Sequence, residues 1–132
     1  MTSSTVDTVH AWITAVNAGD ADAAVVVTSP DVAIVGPRGT ARGHAVLRAW
    51  LAHAGATFAT RAVYVHGDCV VVAQHGVWRD AETGAVKGEA DVATRFRVEA
   101  GRVAEMERYG DLPAALAAAG LSEADAAGDG GS

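Results

Sequence analysis

Arg108 is the residue whose chemistry most needs explaining. It lies in Met106-Glu107-Arg108-Tyr109, where strand alternation puts its guanidinium on the same side as Met106. A cation directed into apolar surroundings needs a partner, because burying it alone is costly. Two readings stay open: Arg108 clamps a ligand carboxylate, phenolate or enolate with help from Gln74, or it forms an internal ion pair with Asp31 or Asp111. His53 follows Trp50 by three positions on an apolar helical segment, so it is a candidate general base at a pocket mouth. Its alternative is a solvent-exposed or capping histidine near a helix end. Asp31 is the other candidate proton carrier. His44 stands on the opposite side of that helix from His53, so the two cannot share a ligand. His10, His66 and His75 show no metal-ligand spacing with one another or with a carboxylate, so no metal is expected, and no cofactor. Glu89, Asp91, Glu105 and Glu107 read as solvated or dimer-contact charge.

These groups need elements to hold them. Val6, Val9, Ile13 and Val16 recur at helical spacing, widened by Trp12, which predicts a helix over about 5–18. Gly19 suits the left-handed position after it, and Asp20 can cap a second helix over about 21–27. That helix stops at Ser29-Pro30. A strand is expected over 31–35, a turn at Gly36-Pro37-Arg38-Gly39, and a third helix over about 43–54 carrying Val46, Leu47, Trp50 and Leu51. The period then changes to two, predicting strands at about 57–65, 69–78, 86–98 and 102–109. A last helix over 111–119 starts with Pro113 in its first turn and ends at Gly120. Helices followed by consecutive strands predict an α+β domain, with a curved antiparallel sheet around three N-terminal helices and a short C-terminal one.

Composition sets the class. The chain has 132 residues, half of them hydrophobic, enough for one domain over 1–121 with a flexible tail over 122–132. The single Cys69 cannot pair within the chain, and in Cys69-Val70-Val71-Val72 it reads as a buried, inert thiol. The net charge of -6 and scattered basic residues argue against nucleic acid. No run is long enough for a membrane span and no secretory leader is evident, so a cytoplasmic protein is expected.

Register decides which side chains meet. A three-residue loop, Glu99-Ala100-Gly101, would pair Val98 with Arg102, Phe96 with Ala104, Thr94 with Met106 and Val92 with Arg108. The other face would pair Arg97 with Val103, Arg95 with Glu105 and Asp91 with Tyr109, and is expected to be wet or interfacial. Val70, Val72, Gln74 and Trp78 are placed on the inner face, under Trp12 and Trp50. The expected chamber is lined by Trp12, Trp50, Gln74, Trp78, Val92, Thr94, Met106 and Arg108, apolar with few polar points, as small-ligand sites are. The parity of Tyr64 stays open.

Several segments together resemble a known superfamily. They are Asn17-Ala18-Gly19-Asp20, Ser29-Pro30-Asp31-Val32-Ala33-Ile34-Val35-Gly36-Pro37, Arg42-Gly43-His44, Thr94 through Val103, and Arg108-Tyr109. In this order and spacing they resemble the NTF2-like superfamily, especially its SnoaL-like and ketosteroid-isomerase-like branches. The resemblance implies a cone-shaped fold, a small hydrophobic ligand and a homodimer joined through the outer sheet face. It does not carry over the isomerase chemistry. The positions of that branch's tyrosine, carboxylate base and protonated aspartate are held here by Trp12, Gly36 and Val92, and neither glycine nor valine can shuttle a proton. The epoxide-hydrolase branch's Arg-x-Asp pair is likewise missing. What remains is an isomerase, cyclase or dehydratase acting on a carbonyl compound, or a non-catalytic ligand-sensing or interaction module.

Overall fold

A computed structural model describes residues 2–36, 39–54, 56–80, 82–122 and 125; within these, the side chains of 2–4, 36, 50–54 and 56 are not described. The elements are α1 (Thr2–Ala18), α2 (Ala21–Val26), β1 (Thr28–Gly36), β2 (Gly39–Arg42), α3 (His44–Ala54), β3 (Ala56–His66), β4 (Cys69–Arg79), β5 (Val86–Glu99), β6 (Arg102–Tyr109) and α4 (Leu112–Ala119). The expected helices and four long strands are present within a few residues of their predicted ends. β2 was not anticipated. It pairs Gly36 with Gly39 across the expected turn, whose Pro37 and Arg38 lie outside the described residues. Most of the expected tail lies outside them too.

The helix ends follow the side chains that close them. Gly19 adopts φ 69° after α1, and the Asp20 carboxylate accepts the Ala23 N–H at 3.0 Å to open α2. Asp111 accepts the Ala114 N–H at 2.8 Å to open α4, and Gly120 ends it at φ 73°. β1 begins at Thr28, earlier than expected, and includes Pro30. Its pairing with β6 is irregular between Thr28 and Ala33, and such an interruption tolerates a residue without an N–H.

The strands form one six-stranded sheet in the order β2-β1-β6-β5-β4-β3. Adjacent strands run antiparallel except β1 and β6, which are parallel. α1 crosses the sheet and buries Val9, Trp12, Ile13 and Val16 against Val70, Val72, Phe96, Val98 and Met106. This is the inner face.

The expected β5–β6 register is corrected. The hairpin turns on two residues, Ala100 (φ 52°) and Gly101 (φ 76°), so Glu99 pairs with Arg102 and Val98 with Val103. A bulge follows at Ala104, after which Arg97 pairs with Glu105, Phe96 with Met106 and Thr94 with Arg108. Each β5 residue beyond the bulge is therefore displaced by two positions from its expected partner. Two residues is one full side-chain period, so Met106 and Arg108 keep their face. Val103, before the bulge, joins the inner core instead of the outer face.

The outer face is also corrected, being only partly wet. Tyr64, Val71 and Ala93 pack under Ala115, Leu116 and Leu121 in a second apolar cluster. Sheet residues are thus buried from both sides.

Candidate functional site

The inner face carries one polar stripe among apolar neighbours. Gln74 on β4 and Thr94 on β5 are each only 3% exposed, and the Thr94 hydroxyl donates to Gln74 Oε1 at 2.9 Å. That bond pairs the hydroxyl with the amide oxygen and offsets part of the cost of burying them. Thr94 pairs across the strands with Arg108 on β6. The Arg108 guanidinium carbon stands 4.7 Å from the Phe58 ring centroid and 6.0 Å from that of Trp78. Those two rings meet edge to face, with centroids 6.0 Å apart. Gly76 makes room for them, since a Cβ there would come within 2.8 Å of Trp78 Cη2. Burial works against the charge and lowers the Arg108 pKa; the ring faces offset part of that.

Trp12 lies at the base of the same face, 3% exposed, with its ring 5.2 Å from Phe96 in an edge contact. Phe58 is fixed from outside the sheet. The Asn17 side chain donates to the Phe58 carbonyl at 2.9 Å and accepts the Phe58 N–H at 2.8 Å. One amide at the end of α1 thereby substitutes for a neighbouring strand on the free edge of β3.

A cavity of about 530 Å³ opens where β6 stops and β5 continues. Arg61, Ala73, Gln74, Asp91 and Val92 line it, closed by Gly110-Asp111-Leu112 at the entry to α4. On its rim His75 bridges two acids, with Nδ1 2.8 Å from Asp91 and Nε2 2.8 Å from Glu89. These bonds raise the His75 pKa, the Asp91 bond most.

Further along the outer face, Arg95 reaches Glu105 and Glu107 at 3.3 Å each. Arg97 joins Glu105 at 3.4 Å and also contacts Glu99. Tyr109 donates to Glu107 at 2.6 Å. Burial opposes the Arg95 charge, but the hydrogen bonds it donates to Tyr109, Glu105 and Glu107 outweigh it and raise its pKa. Burial also opposes ionisation of Glu105, yet Arg95 and Arg97 hold its carboxyl below the usual range. The expected Arg95–Glu105 pair forms as a diagonal contact. Among the described residues no group of His, Cys, Asp or Glu is arranged to hold a metal ion, and no helix is long and apolar enough to cross a membrane.

Residues 9–106 match the family described as "SnoaL-like domain". The chain belongs to that family. The SnoaL-like fold is equally clear in solved structures. A putative SnoaL-like polyketide cyclase from Jannaschia sp. CCS1 superposes at TM-score 0.73 with 20% identity, covering 92% of this chain and 95% of that one. TerC co-crystallised with polyporic acid gives 0.72 and 23%, covering 88% and 97%. An NTF2-like protein from Burkholderia xenovorans LB400 gives 0.66 and 27%, covering 90% and 97%. No curated protein matches the chain. The fold is the NTF2-like cone, α+β with a curved open sheet and four helices.

Within this SnoaL-like domain, Trp12, Gln74, Trp78, Val92, Thr94, Met106 and Arg108 share the inner face. Trp50 and His53 lie on α3, with side chains outside the described residues. Asp31 is exposed on β1, away from the cavity lining. Asp111, considered as a partner for Arg108, caps α4. His44 bonds the Thr28 carbonyl at 2.9 Å. Cys69 is half-buried and burial raises its pKa. Sequence reasoning did not select Phe58, Asn17, Arg61 or the His75 bridge. His75 and Asp91 are sixteen residues apart and meet only through the β4–β5 register.

Proposed function

We propose that this SnoaL-like domain binds a small hydrophobic carbonyl compound on the inner face, with Arg108 and Gln74 holding its oxygen. The observation that carries the reading is the Arg108 guanidinium on the Phe58–Trp78 shelf, beside the Gln74–Thr94 hydrogen bond. Trp12, Trp78, Val92 and Met106 supply the apolar wall. Removing a proton next to a carbonyl makes an enolate, and a fixed guanidinium stabilises the oxygen on which its charge develops. The reaction class is then isomerisation, cyclisation or dehydration, with His53 moving the proton, since Asp31 is exposed on β1. The neighbours called a polyketide cyclase and TerC with polyporic acid support a ligand of this general kind. The protein acts as a homodimer in this reading.

A second reading is a non-catalytic ligand-sensing or interaction module. It is favoured because the buried polar residues among those described are Thr28, Gln74 and Thr94, none an acid or a histidine. Titration with aromatic and polyketide-like ketones, followed by NMR, tests the binding. Shifts at the Trp12 indole, Gln74 and Arg108 are expected, and their absence would remove the proposal. Arg108→Met should then weaken binding about tenfold or more, the scale of a charge-assisted hydrogen bond, while leaving stability unchanged or higher. Solvent deuterium entering the ketone's α-carbon separates the enzyme from the sensor.

A further inference from the structure

The cavity beside the end of β6 shares Gln74 and Val92 with the inner face, but Arg108, Phe58, Trp12 and Thr94 do not line it, and its charged lining is Arg61, Asp91 and Asp111. Its charges are unequal in what they still have to offer. Asp111 already accepts the Ala114 N–H at 2.8 Å. Asp91 already holds His75 Nδ1 at 2.8 Å, while Nε2 of the same ring holds Glu89 at 2.8 Å. An imidazole can donate from both nitrogens only when protonated. The geometry therefore sets a positive charge between those two acids. Arg61 differs: it is exposed, and it makes no hydrogen bond or ion pair among the described residues. The uncommitted charge of the lining is positive although the whole chain carries -6.

A guanidinium presents a planar fork of donors that matches a carboxylate. With one free cation and two acids nearby, a monoanion is better tolerated than a phosphate dianion. Ala73 and Leu112 give the same cavity an apolar side, and about 530 Å³ falls within the range of small-molecule sites. We propose that this cavity binds a small organic carboxylate, with its charge on Arg61 and its hydrocarbon body against Ala73 and Leu112.

His75 couples this site to pH. The charged groups facing it are Asp91 and Glu89 from β5, and its paired position on β3 is the uncharged Ala59. Arg61 and Asp111 face the same cavity. While His75 is protonated, Asp91 is neutralised. Once the proton leaves, Asp91 repels the bound carboxylate, so affinity falls as pH rises through the His75 pKa.

The test is a benzoate titration by two-dimensional amide NMR, with benzamide as the neutral isostere. Benzoate should shift the Ala73 and Leu112 amides, with benzamide binding about tenfold more weakly. Arg61→Met should lose about tenfold in benzoate affinity, and Arg108→Met should lose none. Affinity should drop severalfold as pH rises from about 6 through the raised His75 pKa, and His75→Asn should abolish that dependence. Equal binding of benzoate and benzamide, or indifference to Arg61→Met, would overturn carboxylate recognition here. Loss of benzoate only in Arg108→Met would place the anion on the inner face, sinking this site while supporting the ketone site. A pH-independent affinity would overturn the role of His75.

Discussion

His75 takes its properties from two side chains on the neighbouring strand. Hydrogen bonds to Asp91 and then Glu89 raise its pKa above the ordinary histidine value. The sign of the stability effect follows from linkage. A group whose folded pKa is raised contributes fully below its unfolded pKa, and that contribution disappears as pH climbs through the folded value. His75→Asn should therefore destabilise most near about pH 6, where the unfolded histidine is largely protonated, and the difference from wild type should shrink above the raised pKa. Urea unfolding of both proteins across that range measures it. A constant difference would mean that His75 acts through packing. Arg108 shows the opposite tuning: burial depresses its pKa, beside the ring faces of Phe58 and Trp78.

Elements explain why some of this was legible in the sequence and some was not. The α1 stripe of Val9, Trp12, Ile13 and Val16 and the alternation of β4 through β6 are local patterns, and both place side chains correctly except at Val103, before the bulge. The inward set survived an error in the β5–β6 pairing because the short turn at Ala100-Gly101 and the bulge at Ala104 displace the partners by one whole period. The second apolar cluster left no such pattern. α4 reads Leu-Pro-Ala-Ala-Leu-Ala-Ala-Ala with no polar side to mark a direction, and Val70-Val71-Val72 is apolar on both faces, as strands covered from both sides are. Asn17 was legible only as a helix-ending residue. Its partner is Phe58, forty-one positions away, and a side-chain bond to an edge strand has no sequence period. That bond closes β3 where no strand follows. Asn17→Ala should cost about 1–3 kcal/mol by leaving the Phe58 N–H and carbonyl unsatisfied. The Phe58 amide should exchange with solvent faster than its β3 neighbours. Unchanged protection there would mean that water replaces the clamp.

On the scale of the whole molecule, the sheet is the shared wall of two apolar cores. Val70 and Val72 face α1, while Val71 between them faces α4, and all three are fully buried. Ala93 on β5 is buried with Val71, next to Thr94 of the ligand stripe. A defect under α4 is therefore one peptide away from the proposed ligand face. Leu116 is 7% exposed in the outer cluster, so Leu116→Ala should lose about 2–5 kcal/mol through lost burial and the cavity left behind. Because both cores hang on one backbone, the loss should be global. Amide exchange at Val70, Val71 and Val72 should accelerate together with that of α4, and the urea midpoint should fall without a change in slope. Faster exchange confined to α4, with the midpoint unmoved, would show that the outer helix opens by itself. The ligand face would then be insulated from the outer core.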